Sequence, residues 1–359
     1  EAPHYWGRMG DPLQPPMTCY YALSKVASER AVAESGLKYW AIIRQSFQHP
    51  NNPISIGYPI VSHMPPDCCS EHIDSESSGN LMLQVCLKAP EEFWRRGYHI
   101  GGGAELRISQ YDLIKALHGD MRRGYQPKWV ATKNYHGCFF ADSDDLEALI
   151  PYRLKNRESF LKEELAFQIQ LAKSQPRLTP EETEAKNKRI ASKPGGTVWA
   201  AQQENDETLK ILFGSKAKYD AIPDSWDDIP LPNPSMEPEY FDHGYDENKP
   251  DSALDITDMQ GAAKFRGGEC LSETMTPGDL FTPLRWKCGF GHEFTGSPNL
   301  ILKLGHWCPH CFTEKWNYYD QAKVSPFFAQ IWDYAHEGEE PFSVKMECDA
   351  RMIDKCFEK

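Results

Sequence analysis

Apolar positions recur along the chain in two rhythms, and their alternation sets the expected order of elements. Over residues 18–35, Leu23, Val26, Ala27, Ala31 and Val32 return at three- and four-residue spacing until Ser35-Gly36 stops them, so a helix is expected. Lys38-Tyr39-Trp40-Ala41-Ile42-Ile43-Arg44 follows as a short buried strand. Pro50, Pro53, Pro59, Pro65 and Pro66 mark a loop. A helix near 75–89, a strand at 97–100, a Gly101-Gly102-Gly103 turn and a helix near 109–118 come next. Phe160, Leu161, Leu165 and Ile169 mark another helix, and Thr179-Pro180-Glu181-Glu182 joins a capping box to Pro at the first helical position of one more. That helix ends by Pro194-Gly195-Gly196. Phe327, Phe328, Ile331, Trp332 and Ala335 lie at helical spacing and read as a packing face. Helices alternating with short strands point to an α/β fold class.

With 359 residues, a prior of about 150 per domain gives two or three domains. The aromatic content supplies ample core, which excludes a disordered, collagen-like or coiled-coil chain. No run of 18 apolar residues occurs, so no membrane span is expected. The chain starts Glu-Ala-Pro-His, without Met or a basic-then-apolar leader. A processed or truncated polypeptide with no visible secretory signal is the expectation.

The net charge of −13 disfavours phosphate backbones and anionic lipid over most of the surface. Much of the excess sits in residues 220–258, where twelve Asp/Glu face a single basic side chain, Lys249. With its six Pro, the stretch 222–258 reads as a linker or wrapping arm, partly packed through Tyr240, Phe241 and Tyr245. Eleven Cys, an odd number without scaffold-like spacing, point to a reducing cytoplasmic compartment.

Three of those Cys fit metal chemistry. Cys288-x3-His292 is followed, fifteen residues on, by Cys308-x2-Cys311. Two short knuckles supply the four N/S ligands that Zn²⁺ takes in a tetrahedron, with Gly289, Gly291 and Pro309 shaping the turns. A closed set of four indicates structural rather than catalytic zinc. His306 and His310 stand as alternative ligands, whereas a Cys308/Cys311 redox pair would leave Cys288 and His292 unexplained. The stretch from Gly267-Gly268-Glu269-Cys270-Leu271-Ser272 to Cys311 resembles zinc-ribbon modules. Residues 260–323 carry seven Lys/Arg against six Asp/Glu, so no basic stripe supports nucleic-acid binding. The remaining Cys (19, 68, 69, 86, 138, 270, 348 and 356) are expected to behave as small buried hydrophobes.

Tyr21 and Lys25 lie four residues apart, one turn of helix, on one face. A neighbouring ammonium favours the phenolate, which suits proton transfer at a carbonyl or hydroxyl. Tyr21-Ala22-Leu23-Ser24-Lys25 with Ser35-Gly36-Leu37-Lys38-Tyr39-Trp40-Ala41-Ile42-Ile43-Arg44 resembles the extended short-chain dehydrogenase/reductases, the NAD-dependent epimerase/dehydratase family. Glu71-His72-Ile73-Asp74, Tyr98-His99-Ile100-Gly101-Gly102-Gly103-Ala104-Glu105 and Ala141-Asp142-Ser143-Asp144-Asp145-Leu146 continue the series, over roughly residues 1–172.

The resemblance implies the C-terminal, substrate-binding half of a Rossmann-type enzyme, with a small zinc-ribbon domain appended. It implies Tyr21 as acid/base, Lys25 on the nicotinamide ribose of NAD or NADP, and a cofactor-side role for Arg44. It also implies a small-molecule substrate, a complementing N-terminal chain or a lost N-terminal half, and a homo-oligomer. Two departures qualify it. The Gly-rich fingerprint that opens a dinucleotide fold is missing. Where the family has Arg-Pro before a Tyr-Gly-Pro-like turn, this chain has Arg44-Gln45-Ser46-Phe47-Gln48-His49-Pro50.

The expected division is a dehydrogenase-like portion at 1–175, a helical extension at 176–221, the acidic arm at 222–258, the zinc ribbon at 259–323 and a helical tail at 324–359. The expected activity is that of an NAD(P)-dependent oxidoreductase or epimerase/dehydratase. The alternative is a non-catalytic zinc-ribbon interaction module on a degenerate dehydrogenase scaffold.

Overall fold

The computed structural model describes residues 6–15, 20–49, 62–120, 124–133, 137–173, 178–312, 315–336, 338 and 344–345. Cys19, Pro50, Pro53, Pro59, Cys348 and Cys356 lie outside them. The first part runs β1 (Trp6–Gly7), α1 (Tyr20–Ala33), β2 (Ala41–Gln45), β3 (Gln48–His49), β4 (Cys69–Glu71) and β5 (Ile73–Asp74). It continues with α2 (Ser75–Lys88), β6 (Arg96–Ile100), β7 (Arg107–Ser109), α3 (Gln110–His118), β8 (Phe139–Phe140), α4 (Ser143–Leu149) and α5 (Arg157–Lys173).

Among the described residues the sheets of this part are two strands wide. β1 with β8, β2 with β6 and β3 with β5 are parallel, and β4 with β7 is antiparallel. The architecture is mixed α/β with small parallel sheets. The longest pairing sets Ile42 beside Gly97 and Ile43 beside Tyr98. β2 starts three residues later than the apolar run suggests, because Lys38 and Tyr39 remain exposed, the ammonium 4.6 Å from the ring centroid.

Local signals explain where the helices begin and end. Gly36, at φ 71°, takes the left-handed turn just beyond α1, a conformation that costs other residues a steric penalty. Asp74 caps α2 by accepting from the Ser77 N–H at 2.8 Å, and Ser109 caps α3 through Asp112 N–H. In α5 the inward residues are Phe160 and Glu164, whereas Leu165 and Ile169 face outward. Glu164 lies 3.3 Å from buried His49, which in turn lies 3.0 Å from buried His72.

The middle of the chain forms α6 (Pro180–Ala191), with the expected Thr179–Glu182 capping box, then α7 (Thr197–Gln202), α8 (Asp206–Phe213) and α9 (Lys216–Asp220). Leu209, Leu212 and Phe213 from α8 meet Leu23 of α1 and Tyr318, Phe328 and Trp332 in one core. Those last three belong to α11 (Tyr318–Val324) and α12 (Pro326–His336), which are reached after α10 (Ile256–Phe265) and β9 (Glu269–Cys270). β10 (Leu284–Lys287) is the centre of a three-stranded antiparallel sheet, between β9 and β11 (Glu293–Gly296). β12 (Lys315–Trp316) pairs with β13 (Val344–Lys345).

Between Asp220 and α10 the acidic arm forms only short turns and is hydrogen-bonded to Trp6, Arg8 and Tyr125. Its anchor is His243, 1% exposed, with Nε2 2.9 Å from Asp11 and Nδ1 2.6 Å from Glu247. Arg8 closes the group on Glu247 at 2.7 Å. Burial opposes protonation of His243, but hydrogen bonds to Asp11 and Glu247 outweigh it and raise its pKa. Burial likewise opposes ionisation of Glu247, and His243 and Arg8 overcome this, holding it down to about 2.

A separate seam joins the C-terminal sheet region to the α/β part. Trp40 and Ile42, at the start of β2, pack on fully buried Leu300 and Leu304. Hydrogen bonds also cross the divisions expected from sequence, such as Tyr318 Oη to the Pro15 carbonyl at 2.7 Å.

Two outcomes follow from this packing. Leu300→Ala or Leu304→Ala is expected to lower unfolding free energy by about 2–5 kcal/mol, while Leu87→Ala, at a 70% exposed site, changes it little; urea denaturation measures both. The His243 contribution is fully present below its unfolded pKa of about 6.5 and lost as pH rises through its raised folded value. Glu247 contributes above its unfolded pKa and loses that contribution as pH falls towards about 2. His243→Gln should therefore destabilise most near pH 5–6 and least at alkaline pH, read from urea midpoints across that range.

Candidate metal centre

The two knuckles of the cluster are built by different devices. Strands β10 and β11 pair in register, Trp286 opposite Phe294 and Lys287 opposite Glu293, so Cys288 and His292 flank the hairpin tip. Cys288 N–H donates to the His292 carbonyl at 3.0 Å, and Gly291 N–H returns to Cys288 at 2.9 Å. Gly291 takes φ 84°, which the reversal requires. At Gly289, a Cβ would sit 2.7 Å from the Gly267 carbonyl, so only glycine lets the tip approach that backbone. Cys308 and Cys311 bracket Pro309 at the entry to a single 3₁₀ turn, His310–Phe312.

These turns bring four donor atoms within 4.8 Å of one another. His292 Nδ1 lies 3.4 Å from Cys288 Sγ, 3.7 Å from Cys308 Sγ and 3.6 Å from Cys311 Sγ. Cys288 and Cys311 are 3.8 Å apart. A tetrahedral ion bonded at about 2.3 Å to sulfur and 2.05 Å to nitrogen has S–S edges of about 3.8 Å and S–N edges of about 3.6 Å. The group can hold a metal ion. All three sulfurs belong to buried residues, whereas His292 is half-buried.

Electrostatics favours the same use. Hydrogen bonds from Cys308 and Cys311 hold Cys288 as a thiolate, well below the ordinary thiol range. Hydrogen bonding to Cys288 in turn pushes Cys308 up to about 11, and Cys311 further. Cys308 and Cys311 would ionise alongside Cys288 only with a cation among the three sulfurs, because neighbouring thiolates repel one another. The alternative imidazoles have other positions. His306 Nε2 is 3.2 Å from Glu29, and exposed His310 lies beside the His292 ring, its centroid 5.5 Å away.

The strip between the knuckles is fastened to α1. Arg30 donates to the Trp307 carbonyl at 2.6 Å and to the Thr295 carbonyl at 3.2 Å. Ser297 donates its hydroxyl to Glu34 at 2.6 Å. Glu29 receives Arg44 on both carboxylate oxygens, at 3.0 and 2.7 Å, as well as approaching His306. Burial raises the Glu29 pKa, but His306 and Arg44 overcome it and bring the group down to about 2. Arg44 further donates to the Leu304 carbonyl at 2.8 Å. Trp307 closes the packing edge-on against Trp286 and Phe294.

The other sequence-derived residues fall elsewhere. Tyr21 and Lys25 share the outer face of α1, the ammonium 4.9 Å from the ring centroid, and Tyr21 is 68% exposed. Neither lines either of the two cavities described for the chain. Arg44 lies on β2, 19 residues beyond Lys25, and its guanidinium is engaged by Glu29 and the Leu304 carbonyl. The Gly101-Gly102-Gly103 turn encloses the fully buried carboxylate of Glu71, to which Gly103 N–H donates at 2.9 Å. Arg107, Ser143 and the Phe140 N–H also donate to that carboxylate, at 2.9, 2.5 and 3.1 Å. An amide aimed at a carboxylate is spent for phosphate binding, in keeping with the turn reading.

Sequence reasoning missed Glu29, Arg30 and Glu34 as the supports of the centre. Their partners on the strip between the knuckles lie more than 260 residues away, at separations of 277, 265 and 263, and no local pattern reports such pairs. No protein-family model and no curated protein matches the chain.

Proposed function

We propose that Cys288, His292, Cys308 and Cys311 bind one Zn²⁺ as a closed structural site, and that the chain is a non-catalytic interaction module stapled by that ion. The observation that carries this reading is the tetrahedral spacing of the four donors. Such an ion supplies folding free energy, about 10–16 kcal/mol in zinc-finger peptides, and with four protein ligands leaves no position for a substrate. The chain's own residues do the rest. Cys288 and His292 hold the hairpin tip, Cys308 and Cys311 hold the second turn, and Glu29, Arg30 and Glu34 fix α1 to the strip between them. The likeness to zinc ribbons belongs to this reading.

Metal analysis of the purified chain is expected to give one zinc per chain. Cys308→Ser should bring that well below half and remove several kcal/mol of stability, out of the about 10–16 kcal/mol available. A wild-type chain with far less than one zinc, or a Cys308→Ser variant with full zinc, overturns the reading.

The second reading is an NAD(P)-dependent oxidoreductase or epimerase/dehydratase, with Tyr21 as acid/base and Lys25 on the cofactor ribose. It is favoured by the 4.9 Å contact of Lys25 with Tyr21 on one helix face. Since Tyr21 is open to solvent, this reading needs a complementing chain to form a cleft over it. Titrating the chain alone with NADH and NADPH, followed by nicotinamide fluorescence, is expected to show no saturable binding. Saturation would favour the oxidoreductase reading over the interaction module.

A further inference from the structure

A cavity of about 350 Å³ lies between the acidic arm and the α/β part, apart from the metal centre. The arm contributes Trp226, Ile229 and Leu231, and the facing wall holds Tyr111 and Val130. Trp226 packs with Tyr111 and Val130 in one apolar cluster. Two bonds fasten the arm here. Trp226 Nε1 donates to the Tyr125 carbonyl at 2.6 Å, and Lys128 pairs with Asp224 at 2.9 Å. Pro66, Pro127, Pro230 and Pro232 stiffen the walls, because the ring of each fixes its φ. The chain itself frames the space, at a size usual for a small-molecule site.

The chemistry left over in these walls selects the ligand. The four prolines carry no N–H. The N–H groups of Tyr111, Val130, Ala131 and Thr132 already donate to the carbonyls of Pro66, Pro127, Ser62 and Leu212. Those of Ile222 and Ile229 donate to Tyr219 and Trp226. Asp67, the single charged residue of the lining, is engaged within the chain, as is Asp227 beside Trp226. No Lys, Arg or His lines the space. An ion of either sign would therefore exchange water for apolar walls without a counter-charge to meet it, which is strongly unfavourable. A neutral apolar body avoids that penalty and gains from the area it removes from water. Tyr111, Thr132 and Asn233 add neutral polar side chains to the lining, suited to a single hydroxyl or carbonyl on such a body.

We propose that this cavity binds a neutral, mainly apolar small molecule, its aryl or hydrocarbon body against Tyr111, Val130 and Trp226. The site is independent of the zinc reading, because none of the four metal ligands lines it.

The test uses three probes that share a naphthyl body: neutral 2-naphthylmethanol, anionic 2-naphthoate and cationic 2-naphthylmethylammonium. Each is titrated calorimetrically into the full chain at neutral pH. The alcohol should bind saturably at one site per chain, about tenfold more tightly than either ion. Leu231→Asp, at a 55% exposed position of the lining, should weaken the alcohol about tenfold, with unchanged circular dichroism showing that the variant folds. Leu87→Asp, at an exposed position outside the lining, should leave that affinity as it is. No saturable binding of the alcohol, an ion that binds as tightly, a Leu231→Asp variant with full affinity, or an equal loss in Leu87→Asp overturns the proposal.

Discussion

Glu29 sits where three parts of the chain meet, and its carboxylate is the junction on which the arrangement depends. Arg44 reaches it from β2, His306 reaches it from the strip between the metal knuckles, and the residue itself belongs to α1. A half-buried carboxylate with one bidentate arginine is far stronger than an exposed pair, because water competes less for either charge. Removing one partner would leave the other charge buried without compensation, the costly outcome for such groups. Around this polar node the apolar seam of Trp40, Ile42, Leu300 and Leu304 excludes water. The centre and the α/β part therefore share one foundation and do not behave as beads on a string.

The same rule governs the other buried charges. Glu71 is fully enclosed, yet Gly103, Phe140, Arg107 and Ser143 direct donors at it. Arg266, 1% exposed, donates to the carbonyls of His243 and Ile301, and its guanidinium lies 3.9 Å from the Phe327 ring centroid. Burial lowers its pKa to about 10, which still leaves it charged at neutral pH. Each case connects segments distant in sequence, so these polar groups fix which surfaces meet while apolar packing supplies most of the driving force.

Features with a local cause were legible in the sequence. The Thr179–Glu182 capping box, the Gly36 stop after α1 and the helical spacing of Phe327, Phe328 and Trp332 all depend on residues within one or two turns. The metal ligands were legible for the same reason, since each knuckle is a local turn with its glycine or proline. The inward face of α5 was not. Its Leu165 and Ile169 suggest an apolar stripe, but Glu164 turns inward because His49 waits there, more than a hundred residues earlier in the chain. Likewise the arm's composition announced an extended segment without revealing that His243 would be its buried anchor between Asp11 and Glu247. Composition reports solvation preference, whereas burial of a charge is decided by a partner that only the fold supplies.

The span between α1 and the strip it grips sets the order in which the native contacts become available. Arg30 and Trp307 are separated by 277 positions, and Arg44 and Leu304 by 260. At a ribosomal pace of about 5–20 residues per second, α1 emerges roughly 13–55 s before its binding strip exists. Throughout that interval Trp40 and Ile42 lack Leu300 and Leu304, the buried partners of their cluster, so the nascent chain carries uncovered apolar surface that chaperones recognise. The final topology is thus closed from its C-terminal side, with loop-closure entropy making the last step slow.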